Sequence, residues 1–285
     1  MAHQKQAGVQ VNSPMLNTPL VSIIIAVLNG NATLQQCIDS IRQQTYPNKE
    51  LIFIDGGSID GTVDLLAANA ENINYWISEP DRGIYNAWNK GLAQAHGEWI
   101  CFLGADDFLW APDVLERMVI HLQNLPQNTR VAYGQIMLIG EDGKSSRSIG
   151  EPWKQAKESF RQYMSIPHVG TMHRRALFEQ NGIFDESFRI AGDYELLLRE
   201  LKTGVAVFIP DIIIAGQRLG GVSTAANNNF KIKQEVWRAQ RMHGLPLQWG
   251  AVFKETADEF LQLALKKVVG ESSARKLLSL RKRNL

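Results

Sequence analysis

Apolar and polar positions follow two rhythms along the first half of the chain. Residues 21–28 form an apolar, largely β-branched run, as a parallel strand buried on both faces requires. Leu34, Cys37, Ile38 and Ile41 follow at i, i+3, i+4 and i+7, the spacing of one helix face, and Pro47 stops that pattern. Residues 51–54 read as a second buried strand. Residues 62–70 read as a helix entered through Asp60 and Gly61, and residues 75–77 as a short strand. Ile84, Trp88 and Leu92 mark the core side of a further helix. Residues 99–103 and 112–122 add another strand and helix. Alternation of this kind predicts a parallel sheet covered by helices on both faces.

Beyond about residue 131 the rhythm blurs. Residues 131–139 and 205–210 read as strands, and 171–180, 193–201, 230–242 and 253–269 as helices. Residues 274–280 are more weakly amphipathic, and 140–150 hold turn residues and exposed charge. With no repeat, low-complexity tract or strong linker, the expected organisation is a floppy lead-in (1–18) and one α/β domain (19–225). That domain has halves at 19–125 and 126–225, and a C-terminal helical extension (226–285) follows it.

Composition narrows the function classes. A chain of 285 residues with 45% hydrophobic and 21% charged positions buries a large core and is not disordered. Its apolar runs fall far short of the roughly 20 residues of a membrane-spanning helix. A net charge of +1 argues against a nucleic-acid binder held by overall charge. That balance conceals an asymmetry: residues 266–285 carry +6, leaving −5 on the rest. The basic tail, with Leu277, Leu278 and Leu280 interleaved, suits an anionic membrane surface. Alternatively, its cations complement a helix dipole. Cys37 and Cys101 lie among apolar neighbours without metal-like spacing, and read as buried free thiols in a reducing compartment. Residues 1–18 lack the apolar core of a signal peptide, so the expected location is the cytoplasm.

Candidate chemistry lies where strands end. The first strand runs into Leu28-Asn29-Gly30, the second into Asp55-Gly56-Gly57-Ser58, and the strand at 99–103 into Gly104-Ala105-Asp106-Asp107. A parallel sheet gathers its carboxyl ends on one edge, where ligands bind. Asn and Asp are also ordinary turn residues, so each segment alone has a second reading. Asp106 and Asp107 are adjacent carboxylates that repel each other, and a divalent cation such as Mg²⁺ or Mn²⁺ would compensate. A helix cap is the alternative, although Asp113 can serve the following helix. In residues 81–91, Asn86, Asn89 and Lys90 share a helix face, and Arg82 precedes the helix start, where anions are favoured. Carboxylates for a metal, together with Arg and Lys, point to a diphosphate ligand. The other reading is a solvated amphipathic helix, against which stand two Asn residues, poor helix formers.

Together these residues resemble a family two glycosyltransferase of the GT-A fold. The resemblance covers roughly residues 19–223 and is similar in detail to bacterial enzymes of capsule, exopolysaccharide or O-antigen synthesis. It rests on residues 21–25 with Asn29, on Asp55-Gly56-Gly57-Ser58 with Asp60-Gly61-Thr62, on residues 81–91, on Gly97-Glu98 and on Asp106-Asp107. It continues through His168, residues 182–186 and Asp193-Tyr194 to Gly220-Gly221-Val222-Ser223. It implies a Rossmann-like, mixed but mostly parallel sheet. It implies that Asp55, Val27 and Asn29 meet the nucleotide base, and that Arg82, Asn86 and Lys90 face the nucleotide or its diphosphate. Asp106, beside Ala105, would meet the ribose or sugar, and Asp107 would ligate the metal. Asp193 matches the general base, and the implied outcome is inversion at the anomeric carbon. The implied partners are a nucleotide diphosphate sugar and a glycan or polyprenyl-linked glycan acceptor at the inner face of the membrane.

Three positions depart from the family pattern. Ala26 replaces a frequent Pro. Ala105-Asp106-Asp107 replaces Asp-x-Asp. Gly192 stands where an acid often precedes the base, leaving Asp193 as the one local candidate. Asp193 also reads as the N-cap of the helix at 193–201. His168 reads as a structural or substrate contact, and Arg218 as a contact for the leaving diphosphate. Two other classes remain in view: a nucleotidyltransferase that makes the sugar nucleotide, and a non-catalytic scaffold that binds it. The segment after the first strand lacks the Gly-rich shape of the former, and no GxGxxG marks a dinucleotide oxidoreductase.

Overall fold

The computed structural model describes residues 18–140, 142–143, 146–221 and 228–246. The lead-in, the helices expected at 253–269 and 274–280, the basic tail and Val222-Ser223 lie outside the described residues.

Four parallel strands form the frame: β1 (Val21–Val27), β2 (Lys49–Asp55), β3 (Tyr75–Ser78) and β4 (Trp99–Gly104). They are joined by α1 (Asn31–Arg42), α2 (Thr62–Ala68) and α3 (Ile84–Gln94). The order is β3-β2-β1-β4, with Val27 beside Asp55 in register, so both strands end level. Alternate side chains of β1 and β4 serve opposite cores. Val21, Ile23, Ile25, Trp99, Cys101 and Leu103 pack with Leu34, Cys37, Ile38 and Ile41 of α1. Ile24, Ile100 and Phe102 pack with Trp88 and Leu92 of α3. Burial on both faces explains the apolar runs read from the sequence.

The second half of the sheet is mixed. After β5 (Phe108–Leu109) and α4 (Val114–Leu122) come β6 (Val131–Ile139), β7 (Ser146–Ile149) and α5 (Trp153–Phe160). They are followed by β8 (Met172–Arg174), α6 (Arg175–Asn181), α7 (Gly192–Leu201), β9 (Val207–Arg218) and α8 (Asn229–Met242). β8 lies antiparallel between β4 and β6, β9 runs parallel to β6, and β5 and β7 complete the edges. The mixed sheet flanked by helices agrees with the expected fold class.

Several local expectations are corrected. The helix expected at 171–180 begins as β8, because residues 172–174 are wholly buried between two strands before the chain turns into α6. Part of the segment expected as turn, residues 146–149, pairs with β6 as β7. In α3, Ile84 is exposed, since it opens the helix, whereas Asn86 and Asn89 are buried. The solvated-face reading of α3 therefore fails. Among the described residues no helix is long and apolar enough to cross a membrane.

Candidate active site

The carboxyl ends of β1, β2 and β4 meet in one place. Asn29 adopts a left-handed φ of 52°, which Asn tolerates. Its N–H donates to Ser58 Oγ (2.7 Å) and its Oδ1 accepts from the Ile59 N–H (3.0 Å), tying the loops after β1 and β2 together. Asp55 is fully buried. Its Oδ2 accepts from the N–H groups of Gly57 (3.0 Å) and Ser58 (2.9 Å) and from Ser78 Oγ (2.6 Å), while Ser58 Oγ also donates to Oδ1. The carboxylate thus shapes the loop beside which Val27, itself buried, ends β1. A β-carbon on Gly30 would stand 3.2 Å from that of Ala105, so the β1 and β4 loops also touch.

Asp106 and Asp107 fold back over Gly104, where an added β-carbon would lie 2.7 Å from Asp106 Oδ1 and 3.0 Å from Asp107 Oδ2. Asp107 is buried and accepts a hydrogen bond from the Gly104 N–H at 3.0 Å. Burial, reinforced by the neighbouring Asp106 charge, raises its carboxyl to about 8 against the opposing pull of Gly104 and Arg218. Arg218, at the end of β9, donates to the Asp106 carbonyl at 2.7 Å and to Gln36, with its guanidinium 5.3 Å from the centre of the Phe108 ring. It thereby stands at the carboxylate pair. Two adjacent carboxylates, one of them buried, fit a divalent cation that draws its other ligands from substrate phosphates. Among the described residues no group of three His, Cys, Asp or Glu side chains could hold a metal alone.

Helix α3 connects this edge to the other half of the sheet. Glu186 takes bonds from Arg82 (2.5 Å), Asn86 (3.0 Å) and Asn89 (3.1 Å), and Asn89 also exchanges bonds with the Phe184 backbone in both directions at 3.0 Å. Asn86 Oδ1 accepts the Arg82 N–H at 3.2 Å. The polar face of α3 is therefore a clasp on residues 184–186, and Asn86 and Asn89 spend their amides there. Lys90 pairs with Glu79 at 2.7 Å.

One residue along, Tyr85 donates to the Ile190 carbonyl at 2.5 Å, and its hydroxyl lies 3.3 Å from Asp193 Oδ1. Asp193 is not the N-cap: that position is Ala191, and Asp193 Oδ1 accepts its own neighbour's N–H, from Tyr194, at 2.8 Å. Burial raises its carboxyl to about 6, partly opposed by the Tyr194 and Tyr85 donors and assisted by the Glu235 charge. Glu235 of α8 receives the N–H groups of Arg189, Ile190 and Ala191, each at 2.8 Å, and so fixes the loop that leads into α7. His168 packs 5.0 Å from the Trp88 ring and 5.7 Å from that of Phe102, and burial lowers its imidazole to about 3. A neutral ring of that kind suits packing or a substrate contact and not proton transfer at neutral pH. His168 Nε2 and Trp88 Nε1 are both buried without a hydrogen-bond partner.

The structure thus gathers Val27, Asn29, Asp55, Ala105, Asp106, Asp107 and Arg218 at the sheet edge. It sets Arg82 just before α3, Asn86 in the first turn and Lys90 farther along, and Asp193 and His168 against the aromatic side of that helix. Tyr85, Glu186 and Glu235 were not singled out in the sequence. The first two lie inside quoted motifs, and Glu235 is the one acid in a helix that also holds Lys231, Lys233, Arg238 and Arg241.

A mostly parallel, mixed sheet flanked by helices, with polar loops gathered at its carboxyl edge, is the layout of a GT-A glycosyltransferase. The model of Glycosyl transferase family 2 matches residues 22–182, and the chain belongs to that family. A PGL/p-HBAD biosynthesis glycosyltransferase of Mycobacterium bovis is 32% identical over 213 residues, spanning 72% of this chain and 79% of the relative. An uncharacterized glycosyltransferase of Rickettsia typhi is 30% identical over 227 residues, 77% of this chain and 71% of that one. Among solved structures, S. aureus TarS 1-349 in complex with UDP gives a TM-score of 0.59 at 18% identity, covering 79% of this chain but only 65% of the other. The Pyrobaculum calidifontis mannosyltransferase PcManGT, in complex with GDP-Man and Mn²⁺, gives 0.58 at 17% identity, covering 94% and 81%. These last likenesses establish the fold.

Proposed function

We propose that this glycosyltransferase moves a sugar from a nucleotide diphosphate sugar to an acceptor hydroxyl, inverting the anomeric carbon. The observation that carries the reading is the pair Asp106-Asp107 beside Arg218 at the sheet edge, with Asp193 held by the same helix that borders that edge. Asp55, Val27 and Asn29 shape the base pocket. Arg82, Asn86 and Lys90 border the diphosphate, with Asn86 acting through its bond to the Arg82 N–H. Ala105 keeps the β4 loop small where it meets Gly30, and Asp106 receives the ribose or sugar.

Asp107 would hold a divalent ion, Mn²⁺ or Mg²⁺, which neutralises charge on the leaving diphosphate when bound. Arg218 shares that task. Asp193 accepts the proton of the acceptor hydroxyl as its oxygen attacks the anomeric carbon. The bond from that carbon to the phosphate oxygen breaks, and its electron pair leaves with the nucleoside diphosphate. His168 packs inside the aromatic cluster of Trp88 and Phe102, where its part is to support α3.

For the acceptor we infer a glycan, free or polyprenyl-linked. The +6 tail would hold the enzyme on the inner face of the cytoplasmic membrane, and its Lys and Arg supply the support. A donor panel tests the whole reading: UDP-, GDP- and dTDP-sugars with Mn²⁺, with Mg²⁺ and with chelator. Metal-dependent release of nucleoside diphosphate supports it. Pyrophosphate release would reassign the protein to nucleotidyl transfer, and donor binding without turnover to a scaffold.

A further inference from the structure

Outside the edge of β1, β2 and β4, the described residues enclose a cleft of about 480 Å³ between the start of α8 and the loop at 188–191. That volume suits a small ligand. Arg189 and Ile190 form one wall, and Lys231, Glu235 and Arg238 of α8 the other. The spacing of the last three, i, i+4 and i+7, puts them on one helix face.

Cations outnumber acids in the lining of this cleft. Arg130, Arg174 and Arg199 each close an ion pair with Glu200, Glu98 and Glu195. In the cleft three cations face one carboxylate, and that carboxylate already accepts three backbone N–H groups. Arg189 gives a bond to the Arg82 carbonyl. Arg238 lies over the Phe188 ring at 4.2 Å, reaching Ser187 Oγ at 2.5 Å and Asp185 at 3.6 Å. Exposed Lys231 has no ion-pair partner among the described residues. The amino end of α8 opens beside it, adding partial positive charge.

We propose that this cleft binds a phosphate or diphosphate group carried by the acceptor. The loop that forms its wall ends at Ala191, two residues before Asp193, so an anion seated there anchors the acceptor next to the base. The proposal rests on Asp193 being on the acceptor side. It narrows the acceptor to a phosphorylated carrier, which a neutral glycan is not.

The test uses the full chain with its donor site saturated by UDP and Mn²⁺, so that added anions cannot occupy that site. Inorganic diphosphate and geranyl diphosphate are titrated by calorimetry. Both are expected to bind, and Lys231→Glu to weaken both at least about tenfold, while Lys231→Arg stays near wild type. Tighter binding of geranyl diphosphate identifies a prenyl carrier, and equal binding a phosphate recognised without its lipid. Absence of binding, or binding indifferent to Lys231→Glu, overturns the proposal. UDP affinity measured on the same samples reports the donor site separately: intact UDP binding with no diphosphate binding removes this inference alone, whereas loss of UDP binding speaks against the transferase reading.

Discussion

The ring of Tyr85 fills the space that a side chain on Gly192 would need. A β-carbon at Gly192 would stand 2.8 Å from the ring, whose hydroxyl lies 3.3 Å from Asp193 Oδ1. Any side chain at position 192 would therefore displace the Tyr85 ring. Gly192→Ala is expected to push the ring aside and lower kcat about tenfold or more, with UDP affinity unchanged. Steady-state kinetics beside a UDP titration checks this. Tyr85→Phe removes a donor to the Asp193 carboxylate, so the acid limb of the pH profile moves to higher pH.

Asp193→Asn should lower transfer by a factor of about 10² to 10⁴, the range of general-base contributions, and leave donor binding intact. On the proposed base role, wild-type kcat/KM is expected to fall as pH drops through about 6, because only an ionised Asp193 carboxylate accepts the proton. The stability effect has the opposite sign. A carboxyl whose folded value is raised above its ordinary one favours folding while protonated, and that benefit is lost as pH rises through about 6. Asp193→Asn is therefore expected to melt no lower than the wild type at pH 8. A melting series from pH 5 to 8 measures this.

Asp107→Asn keeps the shape of a buried side chain but removes its charge. Mn²⁺ is expected to raise UDP affinity in the wild type and to have no such effect in the variant. Equal metal enhancement in both proteins would remove Asp107 from the metal site.

Glu235→Ala deprives three N–H groups of their acceptor. The expected cost is about 1–3 kcal/mol, the penalty of leaving such donors unpaired, read as a lower denaturant midpoint. Glu235→Gln keeps an acceptor but removes the charge that helps to raise Asp193. Its acid limb should move to lower pH, opposite to Tyr85→Phe.

The parallel half of the fold was legible because each strand there is buried on both faces and each helix shows one apolar stripe. The buried residues of α1 are the four read from periodicity: Leu34, Cys37, Ile38 and Ile41. Legibility failed where tertiary pairing overrides local pattern. Met172–Arg174 is a strand only because β4 and β6 flank it, and β7 exists only because β6 offers an edge. Asn86 and Asn89 looked like ligand or solvent contacts, since no local rule reveals that Glu186 will meet them. Asp193 was placed correctly at the start of α7, but its cap reading needed backbone geometry to dismiss. Glu235 left little signal, because its partners are main-chain groups that any sequence supplies.

The clasp of α3 on residues 184–186 carries a cost in time. Asn89 meets Phe184 across 95 positions of chain. During synthesis at about 5–20 residues per second, that helix waits on the order of 5–20 s for its partner. Until then Asn86, Asn89 and Trp88, buried in the finished protein, face water or whatever binds them first. A nascent chain stalled between residues 94 and 184 should therefore be sticky, a client for chaperones. A fragment ending at residue 125 should bind donor poorly, although it carries Asp55, Asp106 and Asp107.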